Sequence, residues 1–386
     1  VDRKALPEPD GRPSWGSGGY LPPRNLVELQ LVGLWEEILG VHPIGVRDGF
    51  FELGGHSLSA VRLTARIEQR FERRLPLVRL FEKPTIEHLA SVLRREGEPE
   101  EATPLVPLKV SGSKLPFFCV HPAGGGAFSY LPLARHFDPE RPFYALEAQG
   151  LGAAGELDAR LEDMAARYLH EIRTVQAQGP YLLGGWSLGG FVALEMAQQL
   201  RDAGDEVAGL VLLDTFADHQ LEELLREENQ LSLLATFARD LGLSPEGFEL
   251  PEEAARGELA PGELLEAVRR QAGQSGILPP EISLDHAERL FEVFKANVQA
   301  VAAYRPEPYD GALLVFRAEQ GSTSAGDALG WDRLSRGTIA VQEVPGDHFT
   351  MVVEPHVQEL ARRLSASFDQ PPTPQGDADG ILRSDI

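Results

Sequence analysis

Tyr181-Leu182-Leu183-Gly184-Gly185-Trp186-Ser187-Leu188-Gly189-Gly190-Phe191 is the stretch on which the fold turns. Tyr181–Gly184 reads as a buried strand and Phe191–Leu200 as a helix, so the Gly-x-Ser-x-Gly at 185–189 falls on a strand–turn–helix junction. In a chain with 39 glycines such a pentapeptide carries little weight by itself, and its placement is what matters. Glycines on both sides permit a turn tight enough to expose a serine hydroxyl beyond the end of a sheet. The bland alternative is a passive serine in a glycine-rich turn.

Outward from this turn, apolar strand candidates alternate with helical stretches: Phe117–His121, Phe143–Glu147, Tyr181–Gly184, Val207–Leu213, Ala312–Phe316 and Ile339–Val344. Such alternation predicts a mostly parallel sheet with helices on both faces. It breaks between Thr215 and Tyr304 into acidic, helical sequence with Pro and Gly interruptions, an insertion (about 216–303) expected to form a lid.

A reactive Ser187 needs a base, and the base needs an orienting acid; at this kind of turn they follow in the order Ser, Asp, His. His348, in the glycine-bearing loop Pro345-Gly346-Asp347-His348-Phe349 after the last strand candidate, is the expected base, while His356 falls in the helical stretch beyond. Asp214, at the end of Leu210–Leu213, is the expected acid. Glu319 and Asp327, one strand later, stay open as alternatives, whereas Asp347 is covalently too close to His348 to orient its ring. An oxyanion hole takes two N–H donors: Leu188, directly after the serine, and Ala123 in the loop His121-Pro122-Ala123-Gly124-Gly125-Gly126, because Pro122 has none.

The chain ahead of residue 97 is different. Helical patterns start at Asn25, Ser57 and Thr85, so residues 25–96 read as a small helical bundle. Within it, Gly49-Phe50-Phe51-Glu52-Leu53-Gly54-Gly55-His56-Ser57-Leu58 puts Ser57 where a loop enters a helix. Helix dipole and free amides favour a phosphate there, and an ordinary N-cap serine is the local alternative. Residues 1–24 and 97–104, rich in Pro, Gly and charge, read as linkers, and 369–386 as a disordered tail.

A formal charge of -23 over 386 residues, with the whole excess beyond residue 96, repels phosphate backbones and anionic lipid, so neither nucleic acid nor membrane is an expected partner. No apolar run reaches the length of a membrane span. A single cysteine, Cys119, excludes internal disulfides and multi-thiolate zinc, fits a reducing cytoplasm, and sits in an apolar strand as a core residue. His170-Glu171 lacks the second histidine of a zinc-protease helix, and no metal is expected. Gly150–Gly155 matches a dinucleotide fingerprint, but its next helical pattern begins too late to meet a pyrophosphate.

Residues 46–62, with Phe-Phe-Glu-Leu-Gly-Gly-His-Ser-Leu at their centre, closely resemble the peptidyl carrier domains of nonribosomal peptide synthetases. That resemblance implies covalent 4'-phosphopantetheine on Ser57, installed by a phosphopantetheinyl transferase, and His56 favours the peptide over the polyketide type. Val1-Asp2-Arg3-Lys4-Ala5-Leu6-Pro7 resembles the closing motif of an adenylation domain, whose body is not in this sequence; Lys4 does not match its functional lysine. Residues 105–368 resemble a terminal type I thioesterase domain. The implied fold is an α/β-hydrolase with a helical lid, and the implied triad is Ser187, Asp214 and His348. The implied substrate is a peptidyl thioester, released by hydrolysis or cyclisation, with the upstream adenylation and condensation domains as partners. An editing thioesterase that clears stalled carriers and a non-catalytic docking module are the rival readings.

Overall fold

The computed structural model describes residues 20–71, 73, 75, 77–94, 103–151, 157–217, 221–226, 230–243, 261–275, 282–321, 326–369 and 381–383. The chain divides into two compact units, Val1–Glu100 and Glu101–Ile386.

The first unit holds four helices, α1 (Leu26–Leu39), α2 (Ser57–Phe71), α3 (Leu77–Glu82) and α4 (Ile86–Arg94). Asn25 caps α1 by accepting the Glu28 N–H at 3.0 Å, and Gly40, at φ 67, ends it in the left-handed conformation that glycine adopts without strain. Leu31, Trp35, Phe50, Leu63, Ile67, Ile86 and Leu89 form its core. The linker expected over 1–24 stops short of α1. The Leu21 carbonyl accepts the Val46 N–H at 2.9 Å, and Arg24 bridges Glu28 at 2.7 Å and Glu87 at 2.8 Å. Glu28 is buried, so it holds its charge only with that guanidinium attached, which draws residues 21–24 onto the bundle. Residues 1–19 lie outside the described residues.

The second unit is an eight-stranded sheet in the order β1-β3-β2-β4-β5-β6-β7-β8. Its strands are β1 (Leu105–Lys109), β2 (Phe117–Val120), β3 (Phe143–Leu146), β4 (Tyr181–Trp186), β5 (Val207–Leu213), β6 (Leu313–Ala318), β7 (Ile339–Val344) and β8 (Ile381–Arg383). All neighbours are parallel except β1, which runs antiparallel to β3. β1 escapes the alternating pattern because it is an edge strand, half-buried and carrying Pro107. α5 (Leu131–His136), α6 (Leu161–Val175), α7 (Gly189–Asp202) and α12 (Val357–Asp369) flank the sheet. Phe118, Leu183, Leu210 and Leu212 pack with α6 and α7, whereas Phe117 and Phe143 meet Phe137 beyond α5, and Phe117 also meets Phe368 of α12. Cys119 is buried in β2, and burial pushes its thiol far above its ordinary range.

Between β5 and β6 lie α8 (Leu221–Leu224), α9 (Gln230–Asp240), α10 (Pro261–Gln274) and α11 (Leu284–Ala303), which fill the described parts of the expected lid. The tail is a correction: Asp369 closes α12, and Ile381–Arg383 adds to the open edge of β7 as β8. An unpaired edge offers a row of backbone donors and acceptors, which the backbone of a short strand can pair. Residues 370–380 and 384–386 lie outside the described residues, as do 152–156 of the Gly150 motif. His356 immediately precedes α12.

Candidate active site

Ser187 joins β4 to α7 at φ 56, a left-handed conformation that a non-glycine residue adopts only where its surroundings enforce it. Here they do so from both sides. The Ser187 N–H donates to the Leu213 carbonyl at 2.9 Å, and its own carbonyl accepts from Thr215 Oγ1 at 2.8 Å and the Gly190 N–H at 3.2 Å. The flanking glycines are steric requirements. A Cβ on Gly185 would collide with the Gly189 backbone, one on Gly189 with the Val120 and His121 carbonyls, and one on Gly190 with Thr215.

His348 Nε2 lies 3.0 Å from Ser187 Oγ, and its Nδ1 lies 2.7 Å from Asp214 Oδ2. A carboxylate only accepts, so Nδ1 carries the proton, which leaves the Nε2 lone pair facing the serine hydroxyl. Asp214 is buried at φ 45; its other oxygen accepts the Ala318 N–H at 2.9 Å and its N–H donates to the Phe316 carbonyl at 2.7 Å. The alternatives are elsewhere: Glu319 is exposed, Asp327 pairs with Arg317 at 3.2 Å, and Asp347 accepts from the Phe349 and Thr350 amides in its own turn.

Two supporting residues escaped the sequence reading. The Trp186 indole N–H donates to the His348 carbonyl at 2.9 Å while its ring lies 5.5 Å from the imidazole, so the variable position of the pentapeptide helps seat His348. His121 is buried at the head of the Pro122–Gly126 loop, with Nδ1 2.7 Å from the Pro122 carbonyl and Nε2 2.8 Å from the Tyr168 hydroxyl. Burial lowers its pKa to about 4, so the ring is neutral and Nδ1–H donates to Pro122. The Gly125 N–H reaches the same carbonyl at 2.9 Å. In a trans peptide the N–H points away from the C=O, so this double clamp fixes the direction of the Ala123 N–H. Leu188 stands at the N-terminal end of α7 directly after Ser187, where helix amides are free.

In the first unit Ser57 is the first helical residue of α2. The capping position falls to His56: its carbonyl accepts the Ala60 N–H at 2.8 Å, its N–H donates to Ser59 Oγ at 2.7 Å, and its Nδ1 lies 3.4 Å from the Ser59 N–H. His56 and Ser59 thus do the capping that a local reading assigns to Ser57. Gly55 is pinned from below, since its N–H donates to Phe50 O at 2.9 Å and a Cβ would strike the Phe50 ring; Gly54, at φ 94, faces open space. An open helix entrance on a rigid loop fits a phosphate-linked arm.

A strand–serine–helix turn with a hydrogen-bonded histidine and aspartate, on a parallel sheet with inserted helices, defines a hydrolase of the serine type on the α/β-hydrolase fold. The chain belongs to the thioesterase domain family, which matches residues 115–368, and a phosphopantetheine attachment site domain matches 30–93 ahead of it. A dimodular nonribosomal peptide synthase of Bacillus subtilis is 38% identical over 82% of this chain, which spans 13% of that protein. A holo four-domain nonribosomal peptide synthetase bound to AMP and glycine superposes with a TM-score of 0.66 at 34% identity, covering 97% of this chain and 28% of that one. The Vlm2 thioesterase domain bound with a dodecadepsipeptide gives a TM-score of 0.51 at 25% identity over 68% of this chain and 97% of its own. The chain therefore spans only a small part of the synthetases it matches. Among the described residues, no helix is long and apolar enough to cross a membrane.

Proposed function

We propose that the two units are the carrier and the release enzyme of a nonribosomal peptide synthetase, and that Ser187, His348 and Asp214 act as nucleophile, base and orienting acid. The observation that carries this reading is the continuous chain from Ser187 Oγ through the imidazole to Asp214, with no other acid in reach of Nδ1 among the described residues. Ser57 would hold phosphopantetheine, whose thiol would present the peptide as a thioester. His348 Nε2 removes the Ser187 proton as Oγ attacks the thioester carbonyl. The Ala123 and Leu188 N–H groups receive the oxyanion. Collapse breaks the C–S bond, and the imidazolium returns its proton to the departing sulfur, leaving the peptide as an ester on Ser187. Water or an amine or hydroxyl of the peptide then attacks that ester, with His348 again as base. The upstream adenylation and condensation domains would supply the peptide, and a phosphopantetheinyl transferase the arm.

The test is intact-mass analysis of the full chain loaded from peptidyl-coenzyme A by a phosphopantetheinyl transferase. The loaded mass should appear on wild type and decay to that of the bare arm as free product forms. Acid and ring products differ by one water, which identifies the second nucleophile. An equal mass gain in Ser57→Ala, or a loaded arm that never discharges, would overturn the proposal.

A further inference from the structure

The loop after β2 offers one peptide N–H, that of Ala123, to the oxyanion, and the next peptide is held by residues from outside the sheet. The Ala123 carbonyl accepts a hydrogen bond from Asn297 Nδ2 at 2.9 Å, and Asn297 is buried on α11. On the other side of the same peptide plane the Asp240 carboxyl, at the end of α9, lies against Gly124, whose N–H favours its charged form. The fit is close enough that a Cβ on Gly124 would collide with Asp240, and one on Gly125 with Val293 of α11. Both sides of the Ala123–Gly124 peptide are therefore met by the insertion between β5 and β6, its carbonyl by Asn297 and its Gly124 side by Asp240.

Asn297 is out of place by pattern. It sits among Val293, Phe294, Val298 and Val301 on the buried face of α11, where an unpaired amide would cost free energy and a leucine would not. Its retention there is explained by its hydrogen-bond partner. Asp240 has a similar history: burial raises its carboxyl to about 7, although nearby His348 and the Gly124 N–H both favour the charged form.

We propose that Asn297 and Asp240 are positioning residues for the oxyanion donor, so that the inserted helices α9 and α11 complete the hole by clamping the Ala123–Gly124 peptide. With His121 and Gly125 fixing the preceding peptide, both dihedral angles of Ala123 are set and its N–H keeps one direction. The transition state carries the charge that this N–H meets, so a loosened clamp costs turnover and leaves substrate binding intact. The inference rests on Ser187 being the nucleophile proposed above.

The experiment uses the full chain, a dipeptidyl-pantetheine thioester as substrate and a peptidyl boronic acid, whose tetrahedral serine adduct places an oxygen in the hole. Asn297→Leu should lower kcat about 10- to 100-fold, less than outright loss of a donor, with KM within about twofold. Boronate affinity should fall by a similar factor. Asp240→Leu should act in the same direction, and Asp240→Asn, which keeps an acceptor for the Gly124 N–H, should recover most of the loss. A rise in KM at unchanged kcat, or wild-type boronate affinity in both leucine variants, overturns the proposal. If thermal melts show that Asn297→Leu does not fold, the Asp240 pair decides the question alone. Ser187→Ala separates the two levels. Wild-type turnover there defeats the parent reading, while an inactive Ser187→Ala beside normal Asn297→Leu and Asp240→Leu defeats only the clamp.

Discussion

Ser57 and Ser187 each stand where a glycine-bearing loop enters a helix, α2 in the first unit and α7 in the second, yet their surroundings differ in what governs reactivity. Ser57 follows a histidine in sequence, but that ring is turned to the Ser59 amide and His56 is exposed. Ser187 has its histidine 161 residues away in the chain and 3.0 Å away in space, with a buried carboxylate behind it. Its backbone is left-handed, whereas Ser57 is an ordinary first helical residue. A serine at a helix entrance with phosphate-friendly amides suits attachment; one held in strain beside an oriented imidazole suits attack.

The largest effect should come from Ser187→Ala. Release should fall by about 10⁴-fold or more while Ser57 still loads, because the loading chemistry uses none of the second unit's residues. A loaded, undischarged mass is the expected readout, and discharge at the wild-type rate would erase the distinction between the two serines. Next, Asp214→Asn should cut release by about 10³- to 10⁴-fold, since an amide favours the wrong imidazole tautomer and cannot stabilise imidazolium. Glu319→Gln, at an exposed side chain, should change little. Rates compared at matched melting behaviour decide this; a reversal of the two outcomes would move the acid one strand later.

A smaller effect separates the two loops sterically. Gly185→Ala drives a Cβ into backbone, which cannot move aside, and should destabilise the second unit by about 3 kcal/mol or more. Gly54→Ala meets open space and bears only the strain of its positive φ, about 1 kcal/mol, confined to the first unit. Hydrogen exchange read separately on the two units would show each loss. Comparable losses would mean that the serine loops are equally crowded.

Much of this was legible because strands and helices leave strong periodic signals. The parallel strands announced themselves as apolar runs, and the turn chemistry pointed to an order Ser, Asp, His, with Ser187 and His348 in place and Glu319 and Asp327 left open beside Asp214. What resisted reading was whatever depends on a partner distant in sequence. β1 and β8 are short edges with little burial pattern, visible only once their neighbours are in place. Residues 21–24 looked like linker because nothing local says that Arg24 must neutralise a buried Glu28. Trp186 filled a variable position of its motif, and its bond to the His348 carbonyl spans 162 residues. Asn297 did leave a local trace, a polar residue on an apolar stripe, which marks a buried partner without naming it.

The smallest prediction concerns pH and sets the two units against each other. In the first, the hydrogen bonds from Arg24 hold the buried Glu28 below the usual carboxylate range despite desolvation; a depressed carboxyl stabilises above its unfolded value and loses that contribution as pH falls. In the second, burial raises Glu147 to about 7, so its contribution is complete below about 4.5 and is lost as pH rises towards 7. His121 opposes it within the same unit. Burial lowers this ring to about 4, so its contribution is present above about 6.5 and is lost as pH falls towards 4. The two meet at Tyr168, whose hydroxyl lies 2.8 Å from His121 Nε2 and 3.0 Å from the Glu147 carbonyl. From pH 8 to pH 5 each amounts to about 2 kcal/mol of opposite sign, and Asp240, which burial also raises to about 7, adds to the side of Glu147, so the second unit should gain stability as pH falls through 7. Glu147→Gln removes one of the two raised carboxyls. It should stabilise the second unit at pH 8, where the wild-type carboxylate is charged and desolvated, and should flatten the profile towards pH 5, because Asp240 then stands against His121 alone. Thermal melts across this range, resolved by unit through hydrogen exchange, would give the slopes. A variant whose profile parallels wild type would show that Glu147 titrates normally.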